Sequence, residues 1–190
     1  MPIPMFRLVP LALLAAFPAA AQTEDFCGLP PENWPATVTP LVAGSWQSEA
    51  LSGLAVVEGE ALAMPERVRG LASFRADAGR LFLTPPDTPA EFELRPAEGE
   101  DWDLAMPGEA SLPAAEVFAD PAYGLGLPCP LADLPRYRTE GRLEDAEGGV
   151  EFSLFLVVAD PGTIYGVTTA DLSAPDGTAG VARVVSRFLR

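Results

Sequence analysis

Histidine and lysine are both absent from this chain of 190 residues, and all 12 of its basic residues are arginine. Without histidine there is no serine–histidine–aspartate or cysteine–histidine catalysis, and no imidazole ligand for zinc or haem. Without lysine there is no Schiff-base chemistry. We therefore expect no catalytic residues, no metal site and no cofactor. A hydrolase that uses paired carboxylates is the one enzymatic alternative left open.

Positive charge is scarce as well, because 12 arginines stand against 27 acidic residues and give a net charge of −15. A nucleic-acid partner is not expected, since binding phosphates needs a basic face that displaces counterions. The acidic residues include two clusters in predicted turns: Glu98, Glu100, Asp101 and Asp103, and then Glu144, Asp145 and Glu147. Carboxylates suit calcium, but neither cluster has the spacing of an EF-hand loop, and solvated turns explain them better.

Long apolar runs are missing beyond the first residues, so no segment reaches the roughly 20 apolar residues of a transmembrane helix. At the start, Arg7 precedes an apolar stretch over residues 8–17 and the small residues 19–21. This pattern is typical of a secretory signal over residues 1–21, removed before Gln22. Cys27 follows Glu24, Asp25 and Phe26, which is not a lipoprotein cleavage motif. The sequence predicts a periplasmic or secreted protein with no transmembrane segment and no lipid anchor.

Cysteine occurs only twice, at Cys27 and Cys129. In an oxidising compartment an isolated pair is most simply a disulfide, and a catalytic thiol would lack a histidine to activate it. We therefore predict a disulfide between the two.

Proline and glycine, by contrast, are abundant at 21 and 17 residues, and they leave little room for long helices. Between them lie alternating segments that predict two hairpins, one from residues 71–75 and 80–84, the other from 91–95 and 102–106. Further strands are predicted at residues 137–143, 150–158, 163–169 and 181–189. The run at 150–158 is apolar throughout, which indicates a strand buried on both faces.

The expected fold is therefore all-β, an antiparallel meander that forms one domain over residues 41–190. A closed up-and-down barrel of about eight strands fits best, since closure removes exposed sheet edges. Residues 22–40 are predicted to be a proline-rich extended arm. Residues 107–135 are predicted to be a long loop, with a short helix over 113–118.

The motif Gly44-Ser45-Trp46 opens the first predicted strand, and Arg183 and Arg187 lie on the last one. This arrangement resembles the lipocalins and the wider calycin barrels, where a Gly-X-Trp on the first strand packs its indole under an arginine near the C-terminus. The resemblance implies a structural role for Gly44 and Trp46, and for either Arg183 or Arg187 as the cation-π partner.

A barrel of this kind predicts a non-catalytic protein that binds a small apolar ligand. The candidate ligand-binding residues are the apolar residues of the best-defined strands: Phe74, Phe82, Phe92, Phe152 and Leu154. An arginine at the mouth would favour a ligand with one carboxylate. The alternative is a protein-interaction or enzyme-inhibitor module, in which residues 29–40 dock on a protein partner.

Overall fold

The computed structural model describes residues 26–64, 68–98, 102–106, 108–120, 125–145 and 148–190. The expected signal at residues 1–21 and the new N-terminus at Gln22 lie outside these ranges. In chain order the elements are helix α1 (Trp34–Val42), strands β1 (Gly44–Val57), β2 (Glu60–Ala63), β3 (Arg69–Asp77), β4 (Arg80–Thr84) and β5 (Phe92–Pro96), helix α2 (Ala114–Ala119), and strands β6 (Arg136–Asp145), β7 (Gly148–Asp160), β8 (Thr163–Ser173) and β9 (Ala179–Leu189).

The strands form a closed antiparallel barrel in which sequence neighbours are spatial neighbours. Strand β9 returns to β1 and pairs with it from Gln47 opposite Leu189 to Val57 opposite Gly180. Strands β2 and β3 pair with two successive stretches of the same edge of β1, so together they occupy one position in the wall. The eight-stranded up-and-down barrel predicted from the sequence is thereby confirmed.

The hairpin of β3 and β4 and the meander from β6 to β9 lie where the turn residues predicted them. The predicted return strand over residues 102–106 is wrong, because β5 pairs with β6, through Arg95 opposite Arg138. Asp103 makes only an isolated bridge to Pro113. The alternation in this segment has another cause: Leu104 and Met106 are buried by packing rather than by a ladder.

The segment before β1 is not the extended arm that its prolines suggested. A 3-10 turn at Pro31–Asn33 leads into α1, and Pro35 lies in the first helical turn, where no backbone N–H is needed. One face of α1 carries Trp34, Val38 and Val42, all buried against the barrel. The four-residue spacing of these apolar side chains favours a helix over an extended chain. Helix α1 closes one end of the barrel, and we call this end the base.

A second apolar cluster lies outside the barrel, on the outer face of β7, β8 and β9. It is covered by the described residues between 102 and 134, which we call the strap and which include α2. Phe155, Val157 and Val167 are fully buried beneath the strap residues Leu104 and Phe118. Strand β7 is therefore covered on both faces from Leu154 to Ala159, as its apolar run predicted.

The Cys27–Cys129 disulfide is present and joins the segment before α1 to the strap. Such a bond is typical of an oxidising compartment. Among the residues that the structure describes, no helix has the length and apolar character needed to cross a membrane.

Candidate functional site in the barrel interior

The base of the barrel is sealed by aromatic side chains. Trp46, 1% exposed, points inward from the start of β1, and its Nε1 donates to the Val42 carbonyl of α1 at 2.7 Å. Its ring meets Phe74 edge-on at a centroid distance of 5.9 Å, and Phe74 meets Phe188 in the same way at 5.7 Å. These rings and the buried face of α1 belong to one apolar cluster that fills the base.

The arginine over Trp46 is Arg190, with Cζ 4.8 Å from the ring, and not Arg183 or Arg187 as expected. Arg190 also donates to the Leu41 carbonyl at 2.9 Å and to that of Ala43. Gly44 allows this approach, because a Cβ at that position would lie 2.6 Å from the guanidinium. The Gly-X-Trp and arginine arrangement therefore exists, with a different arginine.

Strand alternation explains why Arg190, and not Arg183 or Arg187, lies over Trp46. Phe188 faces the interior, so Arg187 must face outward, where it bonds Glu49 at 3.0 Å. Arg183 is likewise on the outer face and binds the strap through Glu109 at 2.6 Å. Arg190, two residues beyond Phe188, returns to the inner side at the base.

Above the base the interior holds a cavity of about 230 Å³. Its lining is mainly aliphatic and aromatic, with three hydroxyl side chains and no charged residue: Ser48, Leu83, Pro85, Pro86, Leu143, Val150, Phe152, Leu154, Thr168, Ala170, Ser186 and Phe188. Phe188, Leu83 and Leu154 are buried and form its floor. The cavity is an apolar site with a few hydrogen-bonding groups, which is the usual composition of a small-molecule site.

The open end of the barrel, which we call the mouth, carries a second recess of about 420 Å³. Its lining is again uncharged: Val57, Leu143, Gly148, Gly149, Val150, Leu172, Ser173, Ala174, Thr178, Ala179 and Gly180. Leu143 and Val150 line both spaces. The two spaces therefore adjoin at these two side chains, and neither has a charged lining residue.

The barrel wall is low on the side of β4 and β5. These strands have five residues each, about 17 Å of chain at 3.3 Å per residue, whereas β1 has 14 residues and β7 has 13. The loop that connects β4 to β5 covers part of the difference, because Pro85 and Pro86 line the cavity. Pro86 occupies the space that a side chain at Gly70 would need. The loop thus acts as a side wall of the cavity.

The predicted ligand-binding residues are distributed over four environments. Phe152 and Leu154 line the cavity. Phe92 lies beside it, edge-on to Phe152 at 4.9 Å. Phe74 is part of the sealed base. Phe82 does not line the cavity, because it lies on the outer face of β4 with the Arg75 guanidinium 4.2 Å from its ring centroid.

Several lining residues were missed by the sequence analysis. The three hydroxyl residues are small and unremarkable singly, and Leu143 and Val150 flank a predicted turn. Their signal was the alternation itself: Ser48, Thr168 and Ser186 share the strand parity of Trp46, Ile164 and Phe188, which are buried inside. The same alternation predicts that Arg190, two residues after the inward-facing Phe188, lies on the inner side of the barrel.

Several ion pairs lie on the outer surface. The Arg187 side chain, with Arg69 second, lowers the pKa of Glu49, and Arg75 lowers that of Glu91. Within the base, burial raises the pKa of Tyr137 to about 12, opposed by the neighbouring Thr39. Neither hydroxyl of this buried pair has a well-formed hydrogen bond to a described residue.

The two acidic clusters are only partly described, since residues 99–101 and 146–147 lie outside the described ranges. The Asp103 carboxylate accepts from the backbone N–H groups of Leu112 and Ala105, and both bonds lower its pKa. Glu144 pairs with Arg142 at 2.6 Å. Across the part of the chain that the structure covers, no three acidic or cysteine side chains come together in a metal-binding group.

No protein-family model matches this chain, and no curated protein is significantly similar to it.

Proposed function

We propose that this protein is an exported, calycin-like barrel that binds a small apolar ligand without chemical conversion. The observation that carries the proposal is the uncharged cavity above the sealed base, which adjoins the recess at the mouth. Ligand sites are concave, mostly apolar and equipped with few polar groups, and they reach about 300–1,000 Å³. The cavity at about 230 Å³ and the recess of about 420 Å³ beside it supply a space of that order.

The chemistry of the lining supports binding rather than catalysis. Serine and threonine are the reactive types present, and a serine nucleophile needs a base beside it. The sequence has no histidine, and none of the cavity-lining residues is acidic or basic. An oxidising compartment, which the disulfide suggests, is consistent with a periplasmic or secreted carrier.

The alternative of a protein-interaction module relied on residues 29–40 as an extended docking arm. These residues instead include most of α1, with Trp34, Val38 and Thr39 buried against the base. The apolar side chains available to a partner are correspondingly fewer, which is why we favour the ligand-binding barrel.

Fluorescence titration with N-phenylnaphthylamine, an uncharged apolar probe, tests the proposal. Ala170 lines the cavity, and Ala170→Phe is expected to fill it and lower the probe affinity at least tenfold. Asp171 is exposed on the outer face of the same strand, so Asp171→Phe adds the same side chain outside and is expected to leave the affinity unchanged. Circular dichroism would establish that both variants are folded.

Absence of probe binding by the wild-type protein, or equal binding by Ala170→Phe, would refute the proposal. Mass spectrometry of organic extracts from the purified protein supplies an independent measurement. An apolar compound recovered with the wild type and lost in Ala170→Phe is the expected result.

A further inference from the structure

The cavity has two unlike walls. One wall, from Leu83 and Pro86 through Leu143 to Phe152, is entirely apolar. The other wall is formed by β8, β9 and β1, and it carries the hydroxyls of Thr168, Ser186 and Ser48. We call these three residues the hydroxyl wall. Polarity on one side only gives a bound molecule a preferred orientation.

The sheet register places the hydroxyls of Thr168 and Ser48 on either side of Ser186. Ser186 lies opposite Gly166 on β8 and opposite Ala50 on β1. Thr168 and Ser48 are each two residues from those partners, and so are the diagonal neighbours of Ser186 on the same face. Diagonal neighbours in a sheet lie about 7–8 Å apart. Thr168 lies opposite Val184 and Ser48 lies opposite Phe188, so the two flank Ser186 on opposite sides. One ligand oxygen can therefore approach Ser186 together with either of them, but not all three.

The hydroxyls are available for such a contact. In the part of the chain that the structure describes, none of them has a side-chain hydrogen-bond partner. The three residues are half-buried, so their hydroxyls are accessible to solvent until a ligand covers them. A ligand that covers a hydroxyl without offering it a hydrogen bond incurs a desolvation cost, and a ligand oxygen avoids that cost. A purely hydrocarbon ligand would leave all three unsatisfied.

The same lining argues against an ionised ligand. None of the residues around the cavity or the mouth recess is an arginine, so a buried carboxylate would have no cationic partner. Burial of an unpaired charge costs several kcal/mol. The hairpin of β1 and β2 at the mouth carries Glu58 and Glu60, which repel anions further.

We infer that the ligand is an uncharged apolar molecule with one hydrogen-bonding oxygen, such as an alcohol, a phenol or a ketone, held by Ser186 together with Thr168 or Ser48. This inference rests on the proposed ligand-binding function, and it replaces the carboxylate ligand considered from the sequence.

Equilibrium dialysis with naphthalene, naphthol and naphthoate tests the inference, because the three share one apolar ring system. Naphthol is uncharged at neutral pH and naphthoate is ionised. Naphthol is expected to bind at least tenfold more tightly than naphthoate. In the variant Ser48→Ala, Thr168→Val, Ser186→Ala, the naphthol affinity is expected to fall about two- to tenfold, the range for one lost hydrogen bond. The naphthalene affinity is expected not to fall.

The matched control is Ser153→Ala, Thr169→Val, since this pair faces outward at one register position of β7 and β8. The control is expected to bind all three compounds like the wild type. Equal losses for naphthol and naphthalene in the hydroxyl-wall variant, or naphthoate binding as tight as naphthol, would overturn the inference while leaving the proposed function intact. If the wild type binds none of the fluorescent probe, naphthalene and naphthol, then the proposed function and this inference are both refuted.

Discussion

Truncation of Trp46 to alanine tests whether the base is closed as the structure describes. The side chain is almost fully buried, and three contacts depend on it: the hydrogen bond to Val42, the edge-on packing with Phe74 and the stacking under Arg190. Truncations of large buried aromatic residues cost about 3–5 kcal/mol of unfolding free energy. Trp46→Ala is expected within that range, because α1 and β1 are both anchored and the site cannot easily collapse.

More conservative substitutions separate the contributions of the Trp46 hydrogen bond and of Arg190 to the unfolding free energy. Trp46→Phe keeps an aromatic ring but loses the Nε1 hydrogen bond, worth about 0.5–1.5 kcal/mol. Arg190→Met keeps an apolar stem and removes the guanidinium. A double-mutant cycle of Trp46→Ala with Arg190→Met is expected to give a coupling of about 0.5–1 kcal/mol, the range for a cation-π pair at an exposed site.

The assay is urea unfolding followed by far-ultraviolet circular dichroism, since the sequence has 3 tryptophans and fluorescence would mix their signals. Trp102→Ala is the matched control. Trp102 also stacks on a phenylalanine, Phe155, and lies under Arg138, but it is only half-buried on the outer face. It is expected to cost less than Trp46→Ala. A loss below about 2 kcal/mol for Trp46→Ala, or a loss no larger than that of Trp102→Ala, would refute the closed base.

Two further predictions concern the disulfide and the buried tyrosine. Replacing Cys27 and Cys129 by serine is expected to lower the unfolding free energy by about 2–5 kcal/mol, because the bond closes a loop over a separation of 102 residues. Oxidised wild-type protein that unfolds at the same urea concentration as the variant would contradict this. The stability contributed by neutral Tyr137 is present below its unfolded pKa of about 10 and is lost as pH rises through its folded pKa of about 12. Tyr137→Phe is expected to flatten the pH dependence of the urea midpoint in that window, and an unchanged slope would assign the loss to other groups.

Short-range chemistry made much of this fold predictable. The meander from β6 to β9 follows from turn residues and alternation between them, and its register is decided by which face is apolar. The structural role of Trp46 was predictable from the Gly-X-Trp motif that begins at Gly44. The second hairpin failed because residues 102–106 have the composition of a strand, while their partner depends on a distant segment, β6, which competes for the same edge of β5. The helix at Trp34–Val42 was not predicted, because the number of prolines was taken to indicate an extended chain. Trp34, Val38 and Val42 recur every four residues, which is the spacing of one buried helix face.

The lining of the cavity depends on contacts between residues that are far apart in the sequence. Ser48 and Ser186 are 138 residues apart in the chain, and only closure of β9 on β1 brings their hydroxyls to one wall. The arginine over Trp46 likewise depended on which strand face meets the base.

The sequence by itself determined the all-β class, the disulfide partners and the absence of histidine and lysine chemistry, because composition and local pattern need no partner to be read. The tertiary structure alone decided that the interior is hollow above a sealed base, and that its lining is uncharged with hydroxyls on one side. A filled core and a ligand cavity use the same inward residues. They differ only in how far the opposite walls stand apart, and this distance depends on closure of the whole barrel.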